Sequence, residues 1–412
     1  EEGGLFEYKP GSTGSPGVSE SQRIQEALFH EKQTIIENCL FGVDINPNSV
    51  KICRLRLWIE LLKNAYYKNA TELETLPNID INIKCGNSLV SRFALDADLK
   101  QIAKSAKWNV FSYQNAVVTY KRNSDKELKR ELEKLIHNIK SNYVETIQKR
   151  NPKIQKYYSL RQEYDYKFPE NGLFVHETSA DYGGDAAKLE NEKQRLIAEI
   201  KKVQAEMEAE KTFYETHNAF EWRFEFPEVL NEDGDFVGFD VVIGNPPYIY
   251  RNADIEDLKE YFKSNFYNTS GNFDLYKFFI EQSLKITKQN GFNSLITNSS
   301  FLLQTSFYKT RKFLLENTYL HNIVPLGGSV FEEATVDSAI FILQKSKFQN
   351  DKTLVINPLN PLEIARTPSY KVLQNRFLKN EFFVFDYLLN DDEYNIVSKL
   401  ISNFPKIEIG YD

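Results

Sequence analysis

Cysteine is scarce: Cys39, Cys53 and Cys85 are the only three in 412 residues, and none forms a Cys-x-x-Cys pair or has a histidine cluster nearby. A disulfide-built fold and a zinc finger are thereby excluded, and a reduced, cytoplasmic protein without a metal site is expected. No apolar run approaches the roughly 20 residues that a membrane-spanning helix needs, and no signal peptide opens the chain. Excess positive charge is missing as well, since 51 Lys and Arg face 58 Asp and Glu for a net charge of −7. That balance excludes coating of nucleic acid through bulk charge but leaves room for a local basic cleft. His137 and His176 have no ligand-like spacing to a partner. The chain also lacks an initiator methionine, so Glu1-Glu2-Gly3-Gly4 are expected to lie inside a longer polypeptide.

What is present centres on Gly238-Phe239-Asp240-Val241-Val242-Ile243-Gly244-Asn245-Pro246-Pro247-Tyr248-Ile249. Consecutive β-branched residues predict a short strand buried on both faces of a parallel sheet. The two prolines fix φ and donate no hydrogen bond, so the chain after Asn245 must leave the ladder and project past the carboxyl edge, where ligands of open α/β sheets bind. Asn245 offers a side-chain carbonyl and Pro246 a rigidly held backbone carbonyl. Together they suit both hydrogens of a planar amino group, and Tyr248 offers a ring face for stacking. A bare strand-ending turn would also use Asn-Pro.

Two further strands are expected to end in polar groups. Leu40 to Pro47 reads as an apolar strand ending at Asp44, whose carboxylate suits the hydroxyls of a ribose or, equally, an Asx turn. An apolar helix follows over 48–67 and is expected to pack on the sheet. Ile79 to Cys85 alternates apolar and polar and reads as a strand ending in Gly86-Asn87-Ser88-Leu89, with Asn87 placed to meet the polar edge of an adenine.

Residues 100–218 change character, being charged, poor in glycine and proline, and helically periodic. Ser124-Asp125-Lys126-Glu127 reads as a capping box before a helix through Leu128, Leu132, Leu135, Ile139 and Ile147. A second helix carries Leu189, Leu196 and Val203, with Ile200 and Met207 beside them. The two are expected to pair as an antiparallel hairpin. Lys121, Arg122, Lys129, Arg130, Lys140, Lys149, Arg150 and Lys153 are candidate phosphate contacts, although interleaved glutamates favour a solvated face.

Phe220-x-Trp222-x-x-x-Phe226-Pro227-Glu228-Val229 returns to the sheet. Beyond the tyrosine, 250–270 reads as a flexible loop, 271–284 as a helix opening at Asp274-Leu275-Tyr276, 291–298 as a strand, and Arg311 to Leu315 as part of a helix. A loop then places Phe331 at the lip of the sheet ahead of a strand to Leu343.

Asn245-Pro246-Pro247-Tyr248 resembles the Asn-Pro-Pro-Tyr motif of amino-group methyltransferases. With Phe41 to Leu57 resembling a second motif and Cys85 to Leu89 a third, the chain is similar to the gamma-order N6-adenine DNA methyltransferases. The Phe-x-Trp-x-x-x-Phe-Pro-Glu-Val stretch resembles the methyltransferase part of type IIG restriction-modification enzymes. This resemblance implies an α/β, Rossmann-like S-adenosylmethionine-dependent methyltransferase fold with an inserted helical hairpin. It also implies S-adenosylmethionine as cofactor and double-stranded DNA as partner. Asp44, Ile45, Asn87, Ser88, Leu89 and Asp274 would then hold the cofactor, Asn245 to Tyr248 would be catalytic, and Tyr248 and Phe331 would sandwich a flipped adenine. Asn87 departs from the family, which more often has Asp there. The family's glycine-rich first motif is absent, and is expected upstream of residue 1.

The expected partition is a cofactor-binding half over 1–99, an insertion over 100–218, a catalytic half over 219–350, and from 351–412 a connector to a target-recognition domain. No Asp…Glu-x-Lys nuclease site is found, so any cleavage would belong to sequence not present here. The tetrapeptide also serves glutamine N5-methyltransferases of release factors. A DNA-binding module that has lost catalysis is the other alternative.

Overall fold

The computed structural model describes residues 20–67, 73–74, 79–80, 82–95, 109–123, 125–169, 184–247, 256–269, 273–328, 330, 336–346 and 352–403. The chain divides into two compact units, Glu1–Phe236 and Val237–Asp412.

In the first unit α1 (Glu20–Asn38) leads to β1 (Gly42–Asp44), α2 (Pro47–Leu62) and β2 (Ile83–Cys85). Helix α2 starts where it does because Asn46 accepts a hydrogen bond from the Asn48 N–H at 2.8 Å and Pro47 needs no donor partner. Phe29 and Ile36 of α1 close a core with Leu61, Tyr66 and Ile79. Strand β2 begins only at Ile83, later than its alternating pattern implies. Asn82 is 1% exposed, and its amide donates to the carbonyls of Ile36, Glu37 and Leu40 at 3.0, 2.7 and 3.1 Å. The side chain of this residue therefore satisfies the open end of α1, while its N–H turns back to the Ile79 carbonyl at 3.2 Å and its carbonyl still accepts the Gly42 N–H of β1 at 2.9 Å.

The insertion contains α3 (Val110–Arg122), α4 (Lys126–Gln148), α5 (Pro152–Lys167) and α6 (Gly184–Thr216). The expected hairpin of the 128–147 and 189–207 helices is replaced by a different pairing. Tyr113, Ala116 and Val117 of α3 pack on Ile139 and Tyr143 of α4, and Leu160 of α5 packs on Leu196, Ile200 and Val203 of α6. Pro152 is the cause: it breaks the chain after α4 and starts a new helix whose Tyr157, Leu160 and Tyr164 fill the seam that α6 presents. Leu189 stays 53% exposed. The α4 cap is Asp125, which accepts from the N–H groups of Glu127 and Leu128 at 2.8 and 3.3 Å; Ser124 lies outside the described residues. A short turn, α7 (Trp222–Glu225), follows.

The second unit is built on one six-stranded sheet in the order β3-β4-β6-β5-β7-β8. Its strands are β3 (Phe239–Gly244), β4 (Thr287–Asn298), β5 (Tyr319–Gly327), β6 (Ser338–Gln344), β7 (Lys352–Ile356) and β8 (Ser369–Leu373). The α/β class is as expected, but the sheet is mixed rather than mostly parallel. Strand β3 runs parallel to β4, and β5 to β7, whereas β6 is antiparallel to both β4 and β5, and β8 to β7.

Helices α8 (Glu256–Asn265), α9 (Leu275–Ile286), α10 (Ser300–Leu303) and α11 (Tyr308–Asn317) cover it, with α12 (Gln374–Lys379) and α13 (Asp391–Asn403) at the far end. Much of the expected loop 250–270 is thus α8, held by buried Leu258 and Phe262. Val355, Val372, Phe377 and Phe385 share one core with Ile280, Leu295, Phe341 and Leu343. Burial of β3 on both faces is not observed. Val241 and Ile243 are 61% and 77% exposed, because β3 is terminal in its sheet among the described residues.

Candidate functional site

Strands β1 and β2 run parallel with Asp44 opposite Cys85, so Asp44 and Asn87 finish side by side at one carboxyl edge. The Gly86 N–H donates to the Asp44 carbonyl at 3.0 Å and locks the two ends together. One Asp44 oxygen accepts the Asn46 N–H at 2.7 Å, an Asx turn that fixes the carboxylate while its other oxygen makes no bond among the described residues. Ile45, next in line, is 61% exposed. Asn87 is half-buried, and its side-chain oxygen takes the Leu89 N–H at 3.1 Å. The Leu89 side chain is buried, so only its backbone lies open at this edge.

The Phe220–Val229 stretch explains how that edge is held. Phe220, Trp222, Phe224 and Phe226 are all buried. Trp222 Nε1 donates to the Ser88 carbonyl at 3.1 Å, and Glu221 accepts from Ser91 Oγ and the Arg92 N–H at 2.6 and 2.8 Å. Glu225 binds both Lys84 and Lys140 at 2.8 Å, and Glu228 binds Lys121 at 2.6 Å. One segment thus ties the inserted helices α3 and α4 to β2 and to the loop after it. Burial pushes the Lys84 ammonium down to about 8, with Glu225 countering in part; burial works upward on Glu225, but its two lysines hold it below the usual carboxylate range. Lys84 had no role on sequence, and Lys140, a candidate phosphate contact there, is held by Glu225 instead, since only the fold brings Lys84, Lys140 and Glu225 together.

In the second unit β3 delivers Asn245 past Gly244, which pairs with Leu295. Asn245 and Pro247 are exposed and Pro246 is buried. The Asn245 amide makes no hydrogen bond among the described residues. Helix α9 joins β4 directly, Ile286 to Thr287, and Thr287 pairs with Phe239 at the start of β3. Twelve residues span about 18 Å, close to the length of β3, so the first turn of α9 returns to the carboxyl edge where Asn245 sits.

Asp274 is the residue before that turn. It is 2% exposed, its Oδ1 has no partner among the described residues, and it makes no cap bond. Burial raises its carboxyl above the ordinary range, with Lys277 opposing. Lys277, itself buried, is pushed down to about 8 by burial, with Asp274 countering. The Asp-x-x-Lys spacing, one helical turn apart, was the available signal for Lys277. Tyr248 and Phe331 lie outside the described residues. Asp44 to Leu89 belong to the first unit, and Asn245 and Asp274 to the second.

Residues 38–331 match the Eco57I restriction-modification methylase family, to which the chain therefore belongs. This membership bears out the kinship read from the Asn-Pro-Pro-Tyr tetrapeptide and its companion motifs. The chain is 29% identical over 389 residues to a candidate type II restriction enzyme and methyltransferase of Methanocaldococcus jannaschii, covering 92% of this chain and 31% of that one. It is 34% identical over 116 residues to the type II restriction enzyme and methyltransferase Eco57I of Escherichia coli, covering 27% and 12%. It is 31% identical over 93 residues to the adenine-specific methyltransferase BrxX of Escherichia coli, covering 23% and 8%. The chain spans under a third of the length of each of these relatives.

Proposed function

We propose that the chain carries the methyltransferase activity of a restriction-modification enzyme, moving the methyl group of S-adenosylmethionine to N6 of an adenine turned out of duplex DNA. The observation that carries this reading is the exposed, uncommitted amide of Asn245. It stands on a strand end where Pro246 is buried and the orphaned carboxyl oxygen of Asp274 returns to the same edge. Asn245 Oδ1 and the Pro246 carbonyl accept the two amino hydrogens and raise electron density on the nitrogen. Tyr248 and Phe331 stack on the two faces of the base, offsetting the few kcal/mol that unstacking costs. Much of the acceleration comes from orientation.

The residues fit the cofactor. Asp44 has one oxygen fixed and one that would be left for a ribose hydroxyl, the exposed Ile45 would offer aliphatic surface to a purine face, and Asn87 and Ser88 would hold the purine edge. Asp274 Oδ1 is a buried acceptor in want of a donor. When bound, S-adenosylmethionine supplies the electrophilic methyl group. On this reading 1–99 form the cofactor half, 100–218 the insertion and 219–350 the catalytic half. Residues 351–412 lead toward target recognition, while β7 and β8 also extend the sheet. The cytoplasm is the proposed location; among the described residues no helix is long and apolar enough to cross a membrane.

The test is transfer of labelled methyl groups to mixed-sequence duplex DNA. Asn245→Ala should lower kcat at least about 100-fold, the cost of removing one preorganised transition-state contact, with the fold unchanged by circular dichroism. Label on protein instead of DNA, or full activity in Asn245→Ala, refutes the proposal.

A further inference from the structure

The insertion has one face that the reaction does not use. Helix α4 buries Leu132, Ile139 and Tyr143. On the opposite side Lys126, Arg130 and Lys134 stand exposed at i, i+4 and i+8, with exposed His137 completing the stripe. Neighbouring cations are committed: Lys121 to Glu228, Lys140 to Glu225, Lys149 to Glu145, Lys153 to Glu210, and Lys167 to Glu163 and Glu192. Among the described residues Lys126, Arg130 and Lys134 have no carboxylate within ion-pair distance. Glu127 and Glu131 lie on one flank of the stripe and Glu133 on the other, while Asp125 is occupied as the helix cap.

Two like-charged i, i+4 pairs in succession destabilise a helix, whereas Glu145 and Lys149 farther along the same helix show the opposite, stabilising arrangement. An anionic ligand laid along the stripe removes that repulsion. Its three cations span about 12 Å of helix, roughly the axial length over which one strand of a duplex presents three to four phosphates. We infer that this α4 stripe binds the sugar-phosphate backbone of the DNA substrate without reading sequence. The inference rests on the proposed activity and adds the surface that grips the duplex outside the target base.

The experiment is binding of a short mixed-sequence duplex by fluorescence anisotropy across a salt series, using the protein and its K126Q/R130Q/K134Q variant. Each lost phosphate contact should reduce the slope of log K against log salt by about 0.9. A reduction of about two to three is therefore expected, with kcat at saturating DNA unchanged. The charge-keeping K126R/R130K/K134R variant should retain the wild-type slope, as should K149Q/K153Q/K167Q. Wild-type binding with an unaltered slope in the triple glutamine variant overturns the inference alone. Failure of the wild-type protein to bind or methylate DNA overturns the methyltransferase reading itself.

Discussion

Gly86 tests whether the loop after β2 is held by the aromatic segment that follows the insertion. A Cβ placed on Gly86 would lie 2.6 Å from Cδ2 of Phe220, 3.1 Å from its Cβ and 3.2 Å from its Cγ. Carbon atoms in contact prefer about 3.5–4.0 Å, so the ring would have to retreat by roughly 1 Å. It has little room to do so. Phe220 is 3% exposed and packs edge-on against Trp222 at 5.0 Å and tilted against Phe226 at 5.7 Å. Its own N–H is bonded to the Val90 carbonyl at 2.7 Å, and the Asn87 N–H to the Asn218 carbonyl at 2.7 Å, so ring and loop shift together.

Overpacking of this kind costs about 1–3 kcal/mol. With a urea slope near 2 kcal/mol/M, Gly86→Ala should lower the midpoint by about 0.5–1.5 M. Trp58, Trp108 and Trp222, the only tryptophans, all fall in Glu1–Phe236, so their fluorescence follows this unit alone. Phe220→Val has no δ atoms, and in that background the cost of Gly86→Ala should shrink, giving a measurable coupling. A loss below about 0.5 kcal/mol, or equal losses in both backgrounds, would refute the reasoning.

Lys84 predicts a pH dependence. Its pKa falls from 10.5 to about 8 on folding. Between those values the unfolded chain keeps a proton that the folded chain has released, so stability of the first unit rises with pH above about 8. Above pH 10 the trend reverses, because phenols such as Tyr66, raised to about 12 by burial, ionise first in the unfolded chain. Urea midpoints read by tryptophan fluorescence at pH 7.5, 8.5 and 9.5 should climb in the wild type and stay flat in Lys84→Met; parallel slopes would contradict this assignment. In the second unit Arg311 is wholly buried, and donates to the carbonyls of Phe301, Gln304 and Phe382 at 2.5, 2.7 and 2.9 Å, with no carboxylate paired to it among the described residues. Arg311→Met keeps the volume but strands three carbonyls. It should cost on the order of 3 kcal/mol and speed proteolysis near Phe382. Unchanged cleavage there would show that the guanidinium does not pin this segment.

Local features were legible where the residues themselves make the structure. Asn46-Pro47 caps and opens α2, the prolines after Asn245 end β3, and Asp125 starts α4, each through a bond or a missing donor within a few residues. The Asn-Pro-Pro-Tyr tetrapeptide likewise carries acceptor, rigidity and ring on consecutive residues, which is why its family could be read from it. Pairing over distance was not legible. The helical periodicity of 128–147 and 189–207 is satisfied by any apolar seam, and only packing chose α3 for one and α5 for the other. The alternation over 79–85 suits a strand, yet the Asn82 side chain found two carbonyls in the last turn of α1 and that of Leu40 beyond it, and β2 begins only at Ile83.

By itself the sequence determined the family and the order of its polar strand ends, since these reside in short contiguous runs. Only tertiary structure decided that Glu225 gathers Lys84 and Lys140 and that Asp274 returns to the edge carrying Asn245. Burial and long-range contact set both features, and neither is encoded in local spacing.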